Sequence, residues 1–289
     1  YVNDIEAGRF KTAQLIPHKG YYELVVKKSD LHNYFIAGQQ NHVKVKAYTA
    51  DNSISSRGTG TRDRSAHEKA QPPNLFAVMV GVSDYKDEIL DLKYAAKDAR
   101  DLSIAVGAAS RKLLNSGKEE HVFIYDLTTL KDRNLLPEKN SIRKTLEEIG
   151  KKATANDILL LFFAGHGKMD PITKQFYFLS ADASGATSVA ALSAVGISTS
   201  ELTEWIKPQH IRAQKRVLIF DACHSGQAIR EIVKLGNPEQ GFVAVRGDEQ
   251  GQQIKAIEKL NEQSGLFILA ASASDQEAYE MGRYSQGLL

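Results

Sequence analysis

From about residue 74 onward, the chain alternates short apolar runs with longer segments in which apolar residues recur at helical spacing. The first run, from Leu75 to Val82, is apolar at nearly every position, which is typical of a strand buried on both faces. The predicted strands are 75–82, 122–125, 157–164, 216–221 and 265–271, and the predicted helices are 93–114, 141–152 and 199–206. Because strands joined by helical crossovers form parallel sheets, the pattern predicts a doubly wound α/β domain over residues 74–289.

The first 56 residues follow a different pattern. Segments 22–26 and 42–48 are rich in β-branched and aromatic residues, with turn-forming residues between and after them. We expect two or three antiparallel strands over residues 1–56, which resemble the end of an immunoglobulin-like domain. Residues 57–73 are polar and end in Pro72 and Pro73, and this composition predicts a linker.

Composition and charge exclude several classes of protein. The chain of 289 residues is 42% hydrophobic and 25% charged, as is usual for a globular protein. A net charge of +2 gives no reason to expect nucleic acid as a partner, and no apolar run reaches the roughly 20 residues that cross a bilayer. We therefore expect a soluble protein, with the cytoplasm slightly favoured. The sequence starts at Tyr1 and lacks a signal-peptide pattern, which suggests a fragment that has lost any targeting signal.

Two residues with catalytic chemistry follow predicted strands directly. His166 lies between Gly165 and Gly167, just after strand 157–164, and Cys223 lies just after strand 216–221. Sites in open parallel sheets gather beyond the carboxyl ends of the strands, so the two side chains meet if these strands are neighbours. A histidine can generate the reactive thiolate, and the backbone N–H groups of Gly167 and Cys223 can form an oxyanion hole.

Each of these residues also has an ordinary structural interpretation. A histidine after a strand is often only hydrogen-bonded in the fold, and a lone cysteine is often a small buried hydrophobic residue. Cys223 is the single cysteine of the chain, which excludes an intramolecular disulfide and argues against a thiolate zinc cluster. No metal site is predicted from the residues themselves.

The motifs around His166 and Cys223 resemble those of the caspase and metacaspase clan. The matching segments are Phe-Ala-Gly-His-Gly at 163–167 and Asp-Ala-Cys-His-Ser-Gly at 221–226, and the cysteine stands 57 positions after the histidine, near the roughly 50 of caspases. Residues 76–85, 92–99 and 176–182 resemble further family segments. The resemblance implies a three-layer caspase–haemoglobinase-like α/β fold with a mostly parallel sheet, preceded by a small all-β segment.

The resemblance also implies a mechanism and a specificity. Cys223 would attack the scissile carbonyl and His166 would protonate the leaving amine, with no obligatory third acid. Metacaspases carry acids that match Asp221 and Asp98, and these would select Arg or Lys before the cleaved bond. Ser272 would stand in the wall of the substrate cleft. Asp221 precedes the cysteine by two residues, so on an extended backbone it points to the same side.

Two departures from the family pattern limit what is carried over. Ala164 stands where many metacaspases have Ser, so one side-chain contact near the pocket is missing. Some family members require calcium, and here Arg230 and Glu231 stand where one of its acidic ligands is expected. Asp170 and Asp182 do not have the spacing of a calcium loop, so a calcium requirement stays open.

The long polar stretch 227–264 lies where family members are often cut during activation. Arg246 is a candidate for self-cleavage of a zymogen, and Lys255 and Lys259 are its competitors. The alternative is an ordinary surface loop with a short helix. The N-terminal β segment is a candidate to contact a partner or to cover the cleft.

Three other functions compete with a metacaspase-like peptidase. A non-catalytic caspase-fold scaffold is the main rival, although such modules commonly lose the histidine or the cysteine. A separase-like peptidase would change the family more than the chemistry. A nucleotide-binding domain is disfavoured because no glycine-rich phosphate motif follows a predicted strand.

Overall fold

The computed structural model describes most of the chain with several gaps. The described residues are 1–3, 5–50, 54, 56–64, 72–115, 120–131, 135–170, 172–173, 175–184, 189–222 and 266–270.

The N-terminal part contains two separate antiparallel hairpins. Its elements are strand β1 (Ile16–His18), strand β2 (Tyr21–Glu23), helix α1 (Lys28–Leu31), strand β3 (Gln40–Val45) and strand β4 (Thr59–Arg64). Strand β1 pairs with β2, and β3 pairs with β4 over all six residues of each strand. Strand β4 lies within the predicted linker at 57–73, where Thr59–Arg64 pair with β3.

The second part alternates strands with helices. Its elements are β5 (Leu75–Gly81), α2 (Ala95–Leu114), β6 (Val122–Thr128), α3 (Lys139–Lys152), β7 (Ile158–Ala164), β8 (Gly167–Met169), β9 (Phe176–Leu179), α4 (Val189–Val195), β10 (Gly196–Ser198), α5 (Thr199–Trp205), β11 (Lys215–Asp221) and β12 (Leu266–Ala270). All five predicted strands and all three predicted helices are present, and their described ends differ from the predicted ones by no more than three residues.

The central sheet is parallel throughout its described length. Its strand order is β12-β11-β7-β5-β6, and each neighbouring pair is parallel. The registers align Thr128, Gly81, Ala164 and Asp221 in one row across four strands. This row is the carboxyl edge of the sheet, where ligand sites of parallel α/β folds form.

Each face of this sheet packs against a layer of helices. Helix α2 covers one face, where Ala95 and Ala99 join a core with Met79 and Phe162. Helices α3 and α5 cover the other face, where Ile142, Leu146 and Leu202 join a core with Phe163. The arrangement confirms the predicted three-layer α/β fold, with small antiparallel sheets beside it.

A second sheet that the hydrophobic pattern did not predict follows β7. It contains three short antiparallel strands in the order β10-β9-β8. Strands of three or four residues are too short to show a period of two, which explains why the sequence pattern missed them. This sheet matters for function because β8 begins one residue after His166.

The described contacts of the N-terminal part with the α/β domain lie at the amino end of β11. Gln214, just before β11, donates from Nε2 to the backbone oxygen of Tyr34 over 2.8 Å in a buried contact. Nearby, the buried guanidinium of Arg216 donates to the carbonyl oxygens of Ala213, Ile206 and Ile211. Burial lowers the pKa of Arg216 to about 10. These contacts are at the opposite end of β11 from Asp221.

Gly81 sets the distance between α2 and the carboxyl edge of the sheet. A Cβ atom at this position would lie 2.6 Å from the Ala99 Cβ, 2.7 Å from the Ala95 oxygen and 2.8 Å from the Ala96 Cα. Two of these three atoms belong to the helix backbone and cannot rotate away. The first turn of α2 therefore packs directly on the row that contains Ala164 and Asp221.

We predict that Gly81→Ala lowers the free energy of unfolding by about 1–3 kcal/mol, because the added methyl group overpacks the contact between the sheet and α2. Urea unfolding followed by circular dichroism measures this change. Gly8→Ala is the control, since its Cβ would meet only the Phe10 ring at 3.4 Å. An equal effect of the two substitutions would contradict this account of the α2 contact.

Candidate active site

The segments that follow β7 and β11 start from neighbouring positions. Ala164 and Asp221, the last residues of the two strands, are register partners. The N–H of Gly165 continues the pairing, since it donates to the Asp221 oxygen over 3.2 Å. The strand adjacency that the sequence analysis required is therefore present.

His166 is held by three hydrogen bonds from two segments, the loop after β5 and strand β9. Its backbone N–H donates to the hydroxyl of Tyr85 over 2.8 Å, and its backbone oxygen accepts from the N–H of Leu179 over 2.9 Å. The imidazole Nε2 lies 2.8 Å from the backbone oxygen of Leu90. The ring is partly buried, and its centroid is 5.3 Å from that of the Tyr85 ring.

These contacts define which ring nitrogen can react. A carbonyl oxygen only accepts hydrogen bonds, so Nε2 carries the proton that it donates to Leu90. In the neutral ring, Nδ1 then has the free lone pair. His166 is therefore arranged to take up or release a proton at Nδ1.

Gly167, the first residue of β8, presents its amide away from the neighbouring strand. Gly167 pairs with Phe178 of β9, and the next hydrogen bond of the ladder joins the Leu179 N–H to the His166 oxygen. Positions alternate between bonded and non-bonded in an antiparallel ladder, so Gly167 occupies a non-bonded position. Its N–H consequently faces away from β9.

Asp221 lies on the face of the sheet that α2 covers. Side chains alternate along β11, and Leu218 and Phe220 enter the core of the opposite face. Val217 and Ile219 pack with the α2 core, so Asp221 follows them onto that face, where it is partly buried. The Asp221 carboxylate therefore lies at the carboxyl edge, on the face of the sheet that also carries the first turn of α2.

Asp98 lies in that first turn, on the side of α2 that faces β7 and β11. Arg100 marks the other side, because its guanidinium pairs with Asp126 of β6 over 3.0 Å. Two residues of helix turn by about 200°, so Asp98 lies nearly opposite Arg100 around the helix axis. Asp98 thus lies on the β7 side of α2, and Asp221 lies at the end of β11 on the same face of the sheet. A carboxylate in a first helical turn also interacts favourably with the helix dipole, which is its ordinary structural role.

Several predicted site residues lie outside the described residues. They are Cys223, Ser272, Arg246, Lys255 and Lys259. The described part of the site ends at Ala222, which is 1% exposed and immediately precedes Cys223.

The aspartates considered for calcium have partners within the chain. The Asp170 carboxylate accepts hydrogen bonds from the N–H groups of Ile172 and Thr173 and from the Thr173 hydroxyl, and so shapes the turn between β8 and β9. Asp182 accepts from the Ser180 hydroxyl over 2.6 Å. Within the described residues, no group of three or more His, Cys, Asp or Glu side chains could hold a metal ion.

Comparison with known families decides the identity of the domain. The sequence profile of the caspase domain, peptidase C14, matches residues 74–289, about three quarters of the chain. The chain belongs to the caspase-domain family. This is a family of cysteine peptidases that also has non-catalytic members.

Solved structures and curated proteins give two further comparisons for this caspase-domain protein. Among solved structures, it is similar to a protein from Geobacter sulfurreducens, with 15% identity and a TM-score of 0.43 over 74% of this chain and 78% of that chain. Comparison with curated proteins gives no match. Among the helices of the described ranges, none is both long enough and apolar enough to span a membrane.

Two site residues of the caspase domain were missed by the sequence analysis. Leu90 acts through its backbone oxygen, which leaves no signal in the side-chain pattern. Tyr85 lies at the end of a segment that resembles the family, but a buried tyrosine after a strand predicts nothing about a partner 81 residues away. Only the fold brings these residues to His166.

Proposed function

We propose that this chain is a cysteine endopeptidase of the metacaspase type, which cleaves after Arg or Lys through His166 and Cys223. The observation that carries the proposal is the in-register parallel pairing of β7 with β11. His166 follows Ala164 by two residues, and Cys223 follows Asp221 by two residues. Because the two aligned strands end at one edge, their pairing supports a reaction in which imidazole and thiol meet there.

The orientation of His166 supports a defined route for the proton. Nδ1 takes the proton of the Cys223 thiol, while Nε2 stays bonded to the Leu90 oxygen. The thiolate attacks the scissile carbonyl carbon, the C–N bond breaks, and Nδ1 returns the proton to the leaving amine. Water then hydrolyses the thioester, which releases the acyl product and restores the thiol.

The amide of Gly167 supports the stabilisation of the tetrahedral intermediate. It lies one residue after the proposed base, and its N–H faces away from β9 in the ladder. Together with the N–H of Cys223, it would donate to the oxyanion that forms when the thiolate attacks. A preorganised donor of this kind is a large term in acyl transfer.

The two carboxylates near the first turn of α2 support a preference for basic residues. Asp98 lies in the first turn of α2, Asp221 lies on the sheet face that α2 covers, and Gly81 allows the helix to lie close. We propose that the two carboxylates meet at one corner of the carboxyl edge. A guanidinium or ammonium group can form charge-assisted hydrogen bonds with such carboxylates. We assign this corner to the side chain that precedes the cleaved bond.

Three further parts of the proposal, on Ser272, self-cleavage and calcium, rest on the family alone, and a fourth concerns the N-terminal segment. Ser272 forms part of the cleft wall, and self-cleavage of a zymogen occurs in the 227–264 loop after Arg246, Lys255 or Lys259. A calcium requirement is left open, and the activity assay below includes it as a variable. The N-terminal segment is proposed to contact a partner, since its described contacts lie at the far end of β11.

Non-catalytic caspase-fold scaffolds are the alternative. A scaffold has no need to hold the imidazole, the backbone oxygen and the amide of one histidine at the sheet edge. Three hydrogen bonds do so at His166, which favours the enzyme.

We predict that the full-length protein hydrolyses fluorogenic peptides with Arg or Lys before the reporter, and not those with Asp. Cys223→Ala abolishes this turnover because it removes the nucleophile. The assay compares the two proteins with and without calcium. Cleavage after Asp would contradict the acidic pocket but not the peptidase function. If the wild type cleaves none of the peptides, the scaffold function is favoured.

We predict that Asp221→Asn and Asp98→Asn each lower kcat/KM for the Arg peptide by roughly 10- to 100-fold, the value of a hydrogen bond to a charged group. Asp101→Asn is the matched control, since its carboxylate is one turn further along α2 and pairs with Lys97 at 45% exposure. The control variant should stay within about twofold of wild type because exposed pairs contribute little. Equal values of kcat/KM for all three variants would contradict the assignment of Asp221 and Asp98 to the pocket.

A further inference from the structure

One short segment holds His166 at two points. The hydroxyl of Tyr85 accepts the His166 N–H, and the backbone oxygen of Leu90, five residues later, accepts the Nε2 proton. The Tyr85 side chain is buried at 6% exposure, and its ring lies against the imidazole with 5.3 Å between centroids. Both the backbone and the ring of His166 therefore depend on the loop after β5.

Of the three residues that hydrogen-bond to His166, Tyr85 is the one that uses its side chain. Leu179 and Leu90 contact His166 through their backbone groups, which a substitution does not remove. His166 itself belongs to no strand, because β7 ends at Ala164 and β8 begins at Gly167. Its amide has left the sheet ladder, and the Tyr85 hydroxyl replaces the ladder as its partner.

Gly165 makes room for this hydroxyl. A Cβ atom at residue 165 would lie 2.8 Å from the Tyr85 hydroxyl oxygen and 3.2 Å from the Phe178 ring. The residue also has φ of +152°, which a side chain rarely tolerates. The glycine before the histidine thus permits the approach of Tyr85 as well as the turn.

Asp91 fixes Tyr85 in turn. Its carboxylate accepts the Tyr85 N–H over 2.8 Å and closes a loop that contains Leu90. The Leu92 N–H donates to the Ser83 oxygen over 2.8 Å and closes the same loop a second time. The two groups that hold His166 are therefore kept at a constant distance from each other.

We propose that Tyr85 is a positioning residue for His166 and that Asp91 supports it. By accepting the His166 amide, Tyr85 fixes the backbone from which the imidazole reaches Leu90, and so directs Nδ1 toward the nucleophile. This inference rests on the proposed peptidase function, in which Nδ1 transfers the proton.

The test compares Tyr85→Phe with wild type by kinetics and by ¹⁵N NMR of histidine-labelled protein, in which His166→Gln assigns the His166 signals. Wild-type protein should show His166 mainly with the proton on Nε2. Tyr85→Phe should show a mixture of the two tautomers and a fall in kcat of about 3- to 10-fold, from the loss of one hydrogen bond. KM should change by less than about twofold, because Tyr85 acts through His166 and not on substrate binding.

Tyr177→Phe is the matched control. Tyr177 is 5% exposed, and its hydroxyl donates to the Gln175 side-chain oxygen over 3.1 Å. This variant should keep the His166 signals and kcat of wild type. An equal fall in kcat for the two variants would mean that any buried hydroxyl matters, and would overturn the positioning role.

Asp91 provides a second and independent pair of variants. Asp91→Asn keeps an oxygen that accepts the Tyr85 N–H, whereas Asp91→Ala removes it. We expect Asp91→Ala to lower kcat and mix the His166 tautomers, and Asp91→Asn to restore both. Equal behaviour of the Asn and Ala variants would contradict the supporting role of Asp91.

The NMR readout separates this inference from the proposed function. If the wild type is inactive but Tyr85→Phe mixes the His166 tautomers, the peptidase proposal fails and the positioning of the ring stands. In an active enzyme, unchanged His166 signals in Tyr85→Phe would overturn the inference whatever the kinetics. Mixed tautomers with an unchanged kcat would overturn it as well.

Discussion

The site depends on the parallel pairing of β7 with β11 in one register. That pairing aligns Ala164 with Asp221, so that the segments leading to His166 and toward Cys223 start from one edge of the sheet. A slip of one residue would move every side chain of β11 to the other face, and Asp221 would leave the face that α2 covers. The buried Phe220 and Leu218 oppose such a slip, because the core on their face would lose them to the other side.

Small residues at this edge let other segments come close. Gly81 admits the backbone of α2, which carries Asp98, and Gly165 admits the hydroxyl of Tyr85, which holds the amide of His166. The proposed acidic corner and the orientation of His166 thus depend on the same physical feature, a glycine that lets a second segment come close. Packing, and not the identity of the reactive residues alone, determines where they point.

Sequence reasoning predicted the parts of the fold that have long periodic signals. The strands around Leu75 and Leu161 and the helix from Ala95 were predicted within a few residues because buried runs and helical stripes are distinctive. Strands β8 to β10 were missed because they are too short to show a period. In the site, His166 and Asp221 could be proposed from motifs, whereas the Leu90 oxygen and the Tyr85 hydroxyl could not, since their roles come from contacts across 76 and 81 residues.

The central claim is that His166 activates Cys223 at a site that accepts a basic side chain. The most direct measurement is the reaction of the full-length protein with a peptidyl-arginine acyloxymethyl ketone, with the adduct located by mass spectrometry. The account predicts one adduct, on Cys223, whose formation is slowed by about 10²-fold or more in His166→Ala and is outcompeted by an arginine peptide. Labelling of Cys223 at the same rate in His166→Ala, or no labelling of Cys223 in the wild type, would contradict it.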